Sequence, residues 1–157
     1  MISITAGWSD AGAAFREAAA SIIVGCMKTP RFSADGFDRS TFAPFELQDC
    51  RTTEWADVRL TFDAWDALHA LAGGESLDDY YLNGYGVEGL VKGAMVDAGI
   101  DLDDERIHEN SEGGACNLHF TDLDLAIRAA EAAAVMMTSV EHLRAAVARA
   151  RAHGFED

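Results

Sequence analysis

The chain has 157 residues, 49% of them hydrophobic, which is enough for one domain with a core of its own. Twelve lysines and arginines stand against twenty-seven acids, a formal charge of −15, and this excludes a nucleic-acid backbone or an anionic membrane surface as the natural partner. Three cysteines (Cys26, Cys50 and Cys116) are an odd number without paired spacing, so reduced thiols in a cytoplasm are expected rather than a disulfide framework or a zinc knuckle. The N-terminal MISITAGWSD has no basic leader, and the most apolar later stretch, AAASIIVGCM, is too short to span a bilayer.

In chain order, the first predicted element is a helix from about Ala11 to Met27. Phe15, Ala18, Ala19, Ile22, Ile23 and Cys26 recur there at spacings of three and four and gather on one face. Ser9 or Asp10 can cap it, and Pro30 stops it. Asp35-Gly36 signals a turn. FAPFELQ reads as a short strand near a sheet edge, because Pro44 has no amide to donate. Alternation in WADVRLTF places Ala56, Val58, Leu60 and Phe62 on one side of a strand. Thr61 then starts a helix with Phe62, Trp65, Leu68 and Leu71 inward, His69 beside them as a structural histidine, and Gly73-Gly74 at its stop.

ESLDDYYLNGYG is a polar loop with aromatics that leads into a helix from about Val87 to Ala98, with Leu90, Val91, Ala94 and Met95 inward. The acidic linker DLDDE delivers the chain to a hairpin over residues 106–120. A helix follows from Thr121, and another starts near Thr138, which has capping-box spacing to Glu141. Helices and strands mix without strict alternation. The expected fold is therefore α+β, a single domain over residues 1–157 with an antiparallel sheet of about four strands packed with about five helices.

The hairpin RIHENSEGGACNLHF holds two histidines, two glutamates and a cysteine. A turn at Glu112-Gly113, with glycine where positive φ is tolerated, pairs Ile107 with Leu118 and Glu109 with Cys116. A four-residue loop from Ser111 to Gly114 gives the same pairing. Ile107, Cys116, Leu118 and Phe120 then face inward, while Arg106, His108, Asn110, Asn117 and His119 face outward. The cysteine points away from both histidines, which disfavours a thiol–imidazole nucleophile pair. His108 and His119 share a face, but no neighbouring residue completes a metal set, and zinc takes three or four ligands. A polar hairpin without chemistry of its own is the better reading.

Two other spacings are weaker. Gly84, Gly86 and Gly89 in GYGVEG match the dinucleotide fingerprint, but no buried apolar strand precedes them, and the acids of ESLDDYYLN would repel phosphate. A glycine-eased start to the helix accounts for them. DLDDE lacks the glycine and distal glutamate of a calcium loop. No cofactor and no metal is implied.

Charge is segregated along the chain. Residues 46–112 hold seventeen acids and four bases, against four of each in residues 1–45 and six and four in residues 113–157. Asp101, Asp103, Asp104, Glu105, Glu109 and Glu112 are the candidate binding surface for a basic protein partner, whose approach complementary charge would speed. The alternative is a metal-dependent or acid–base hydrolase using the polar face of the hairpin, with His108, His119 and the neighbouring Glu109.

From Asn83-Gly84-Tyr85, through the helix bearing Leu90, the turn glutamate and glycine at Glu112 and Gly114, the strand residue Cys116 and the long helix after it, the chain resembles a family of immunity proteins. This is the family numbered fifty-one of bacterial polymorphic-toxin systems. Val87, Asn110-Ser111 and Cys116 stand where that family usually has a tryptophan, an Asp-Pro pair and an aromatic. The resemblance implies a cytoplasmic, non-enzymatic protein that binds and neutralises a cognate toxin.

Overall fold

In the computed structural model the described residues are 27–155; the helix expected over 11–27 lies outside them, apart from Met27. Three strands run first as an antiparallel meander: β1 (Phe37–Asp38), β2 (Glu46–Asp49) and β3 (Val58–Phe62). Then come α1 (Trp65–Ala72), a ribbon of β4 (Ser76–Leu77) and β5 (Tyr80–Tyr81), and α2 (Gly84–Asp97). The hairpin β6 (Ile107–Glu109) and β7 (Cys116–Phe120) follows, and α3 (Leu123–Met136) and α4 (Val140–His153) close the chain. The main sheet has the order β1-β2-β3-β7-β6, all antiparallel. The α+β class is as expected, with one more strand in the main sheet and a separate ribbon. Among the described residues no helix is long and apolar enough to cross a membrane.

Alternation decides which sheet face is buried. Leu47, Val58, Leu60, Phe62, Cys116, Leu118 and Phe120 point inward and are almost wholly covered. Arg59, Thr61, Asn117 and His119 point to the opposite, polar face. On the apolar side α3 lies against β2, β3 and β7, and α2 sits between β7, α3 and α4. Phe42, Phe45, Phe62 and Phe120 are fully buried, each contributing about 1.5–3 kcal/mol by leaving water.

Several local expectations shift for physical reasons. β2 is short and near a sheet edge as expected, but it begins after Pro44 and lies one strand in; the edge is β1, where buried Asp38 accepts from the Arg31 amide at 2.6 Å and from the Ser40 and Thr41 amides at 3.0 Å each. Ala56 is not on a strand but in a turn with φ of 51°. Thr61 and Phe62 belong to β3, paired with Asn117 and Cys116, so α1 waits until Trp65. The polar loop 75–82 pairs with itself as the β4–β5 ribbon across Asp78-Asp79. At the later helices the caps fall one residue further on: Asp122 accepts from the Leu125 amide and Ser139 from the His142 amide.

Helix α2 starts at Gly84 rather than Val87, capped by the Asn83 side chain, which accepts from the Gly86 amide at 2.7 Å. It is buried on nearly every side, from Gly84 to Met95. Glycines make this possible. A Cβ on Gly84 would collide with the carbonyl oxygens of Glu112 and Ala115, and one on Gly86 or Gly89 would collide with that of Tyr81 or Phe155. The GYGVEG spacing is thus a packing surface, and the Gly84 amide is taken by the Gly113 carbonyl at 3.1 Å.

Gly93 differs from its neighbours, because a Cβ there would meet its nearest atom, the Ala150 amide nitrogen, at 3.4 Å. Thermal or urea unfolding should therefore separate two otherwise identical substitutions. Gly84→Ala is expected to destabilise by roughly 1–3 kcal/mol through overpacking. Gly93→Ala is expected to be neutral or to stabilise by up to about 1 kcal/mol through helix propensity.

Candidate functional site

The hairpin closes on a two-residue loop, with Glu112 and Ala115 exchanging backbone hydrogen bonds across Gly113-Gly114. Ile107 faces Phe120, His108 faces His119 and Glu109 faces Leu118. The turn at Glu112-Gly113 and the Ile107–Leu118 and Glu109–Cys116 pairings are therefore corrected. Neither tip glycine takes a positive φ. The slip is two residues, an even number, so every side chain keeps its expected face. The reason lies in the tip's own bonds: the Gly113 carbonyl accepts from the Gly84 amide, and the Gly114 carbonyl accepts from the Trp65 indole at 3.0 Å.

This geometry distributes the candidate residues. Asp101, Asp103, Asp104 and Glu105 lie at the base of the hairpin, before β6, whereas Glu109 and Glu112 lie toward its tip. Glu105 and Glu112 are roughly 20 Å apart along an extended chain. Asp104 is gripped by Arg106, whose Nη2 is 2.6 Å from Oδ2 and whose Nε is 2.9 Å from Oδ1. Arg106 holds the Asp104 carboxyl down at about 2, donating to it from its guanidinium and from its backbone amide. Glu109 pairs with Lys92 at 2.7 Å. Asp101, Asp103, Glu105 and Glu112 are exposed and form no ion pair among the described residues.

The two outward histidines face one another, but their surroundings differ. His119 Nδ1 is 3.2 Å from Asp57 Oδ2, and Asp57 also accepts from Arg59 Nε at 3.1 Å. Burial pushes His119 down, and Arg59 and His108 add to this, while Asp57 opposes it. His108 is exposed. Among the described residues no three His, Cys, Asp or Glu side chains converge as a metal site would need. Cys116 lies on the apolar face, and burial pushes its thiol up to about 12, so it holds no thiolate near neutrality. Helix α2 begins under the hairpin tip, where its first amide is already bonded, which closes the dinucleotide reading as well.

A second set of residues is brought together only by folding. Glu88 is the one acid in the buried length of α2 and is 9% exposed. Burial pushes its carboxyl up; Ser111 opposes by hydrogen bonding, the Glu109 charge reinforces, Lys92 opposes, and a side-chain hydrogen bond shared with Glu109 reinforces again. Glu88 lines an open cavity of about 250 Å³ with Tyr85, Gly89, Lys92, Glu109, Gly154 and Phe155. On the other side of the hairpin tip a second hollow is lined by Trp65, His69, Glu75, Tyr81 and Asn83. Tyr81 and Tyr85, 59% and 45% exposed, flank the tip. Glu88 escapes sequence reading because its helical position looks like any solvated acid. The available hint is its place among glycines and apolar residues in GYGVEGLVKG.

Compared with known protein families, curated proteins and solved structures, the chain matches none.

The sign of the Glu88 contribution follows from its raised folded-state carboxyl. The native state holds that proton more tightly than the unfolded chain, so stability falls as pH rises above about 4.3, the ordinary glutamate value. Glu88→Gln removes this fall. Chemical denaturation of both proteins across the acid-to-neutral range should show the variant gaining stability relative to the parent as pH increases.

Proposed function

We propose that this chain is a non-enzymatic binding protein that receives a basic protein partner on its acidic hairpin edge, and that it serves as an immunity protein against a cognate bacterial toxin in the cytoplasm. The observation that carries the reading is how the acid-rich block uses its few cations. All four basic residues of 46–112 sit beside acids of the same block: Arg51 at 2.7 Å from Asp49, Arg59 at 3.1 Å from Asp57, Lys92 at 2.7 Å from Glu109 and Arg106 at 2.6 Å from Asp104. Of the remaining carboxylates, Glu46, Asp78 and Asp97 meet Arg39, Arg144 and Arg149 from outside the block; the others form no ion pair among the described residues, and a positive surface from a partner would lower their mutual repulsion.

Two further features support it. The loop acids and the tip acids stand at either end of one edge strand, β6, so a single partner can touch both. Tyr81, Tyr85 and the half-buried Trp65 surround the tip, and tyrosine and tryptophan are the side chains most often found to anchor protein interfaces. Aromatic anchors ringed by acids suit a protein surface better than a small substrate.

The test is to express the products of the neighbouring open reading frames and to follow their association with this chain by stopped-flow. The rate is expected to fall roughly tenfold or more as salt is raised from low to moderate ionic strength. The triple variant Asp101→Asn, Asp103→Asn, Glu105→Gln and the single variant Glu112→Gln should each slow association with little change in dissociation. A complex indifferent to both salt and these changes would sink the proposal.

A further inference from the structure

The main sheet has two edges, and its own chain closes only one of them. On β1 the outward-facing groups belong to Phe37, because the residues on either side of it bond inward to β2; the Asp49 amide, for one, donates to the Gly36 carbonyl at 2.8 Å. The Phe37 carbonyl accepts from the Ser33 amide at 2.9 Å and from the Ser33 hydroxyl at 2.7 Å. The Phe37 amide donates to Asp35 at 3.3 Å. The loop before β1 thus uses up that edge.

The same accounting on β6 leaves groups over. The Asn110 amide donates to the Asn117 carbonyl and the Thr121 amide to the Arg106 carbonyl, each at 3.0 Å. Bonded rungs alternate along an antiparallel pair, so His108 and His119 form the bonded rung between them, and the main-chain groups of Ile107 and Glu109 point away from β7. The Ile107 amide turns back to the Asp104 carbonyl at 2.9 Å. The Ile107 carbonyl, the Glu109 amide and the Glu109 carbonyl meet no hydrogen-bond partner among the described residues. His108 and Glu109 are exposed, and β6 has no proline, lysine or bulge to guard it.

What guards this edge is negative charge, and that guard is selective. Asp101, Asp103 and Glu105 precede β6 and Glu112 follows it, all exposed and without an ion pair among the described residues. A second copy laid antiparallel on β6 would bring each acidic end against another acidic end. A chain with basic residues at both ends meets the opposite charge at each.

We propose that β6 takes up an extended segment of the basic protein partner as a sixth strand of the main sheet, with cations of that segment at both ends of the paired stretch. The inference rests on the binding-protein reading and deepens it by naming the form in which the partner is recognised. Three main-chain hydrogen bonds join the two: the Glu109 amide donates to the segment, and the Ile107 and Glu109 carbonyls accept from it. Those bonds fix the register, and the flanking acids supply the preference for positive charge. The positions of Glu105 and Glu112 place the cations roughly seven residues apart along the segment.

The whole chain, isotopically labelled at its amides, is titrated by NMR with a capped peptide carrying two lysines at each end and an alternating Thr-Val centre. Saturable shifts are expected at the amides of Ile107, His108 and Glu109, with slowed hydrogen exchange at Glu109. Two control peptides should bind at least about tenfold more weakly: one with glutamates in place of the lysines, and one N-methylated at its three central residues, which keeps every charge and loses main-chain donors. Glu109→Pro removes the outward amide without removing a β6–β7 bond, and Glu109→Ala loses the same side chain but keeps that amide. With folding checked by melting curves, the proline variant should bind the peptide at least about tenfold more weakly than the alanine variant and release the partner protein correspondingly faster. If the proline variant does not fold, the N-methylated peptide on the parent chain decides.

Equal binding of the parent and N-methylated peptides, equal binding by the proline and alanine variants, or no saturable change along β6 would each overturn the assignment. Protection of the Glu109 amide that grows with the concentration of the chain alone would make a second copy the occupant, and overturn it too. A salt-sensitive partner complex that treats Glu109→Pro and Glu109→Ala alike would remove this inference and leave the broader reading standing. Peptide binding that passes every control, with no neighbouring gene product associating, would support the strand site and remove the immunity reading instead.

Discussion

The seat of the hairpin tip on the start of α2 holds the rest in place. The Gly113 carbonyl takes the first amide of the helix, the Asn83 side chain takes the Gly86 amide, and the Gly114 carbonyl takes the Trp65 indole. Helix amides at an N-terminus have no partner within the helix, so a backbone that supplies one is held firmly. Three elements far apart in sequence thereby share one junction. Gly84 permits it, because any side chain there would occupy the space of the Glu112 carbonyl.

From that junction the surface chemistry follows. The tip fixes the pairing of β6 with β7, which sets Glu109 over Lys92 and brings Ser111 to Glu88. α2 is buried on nearly every side, and the acid in its buried length, Glu88, is held by hydrogen bonds to Ser111 and Glu109. Lys92 pairs with the exposed acid, Glu109, and acts on the buried one as a nearby charge. The Tyr80 hydroxyl, 2.7 Å from the Gly86 carbonyl and 3.1 Å from that of Phe155, draws the C-terminal turn in to finish the wall.

The polar sheet face is organised by different means. Its row of Arg59, His119 and His108 is formed by strand pairing, and Asp57 binds the first two of these. The imidazole of His119 is thus partly covered and held by an acid and an arginine. Such a set stabilises a sheet surface without creating an open coordination position. Asp101, Asp103, Glu105 and Glu112, exposed on the hairpin edge, form no ion pair among the described residues, which is why that edge carries the binding proposal.

Much of the fold is legible in the residues themselves. Period-two alternation in VRLTF and CNLHF decides which side of the sheet is buried, since neighbouring strand residues must point oppositely. Gly73 and Gly99 mark helix ends where the backbone turns left-handed. The face of every hairpin residue is also readable, because the pairing error was even. What only the tertiary structure decides is register, the ribbon at 76–81, and the company Glu88 keeps. Each depends on contacts between segments distant in sequence: the carbonyls of Gly113 and Gly114 choose their donors from α1 and α2, and the cavity exists because the end of α4 returns to α2. Local pattern carries burial and direction, whereas the set of groups that meet a buried carboxyl, Ser111, Glu109 and Lys92 around Glu88, is a property of the assembled surroundings and is written in no single stretch.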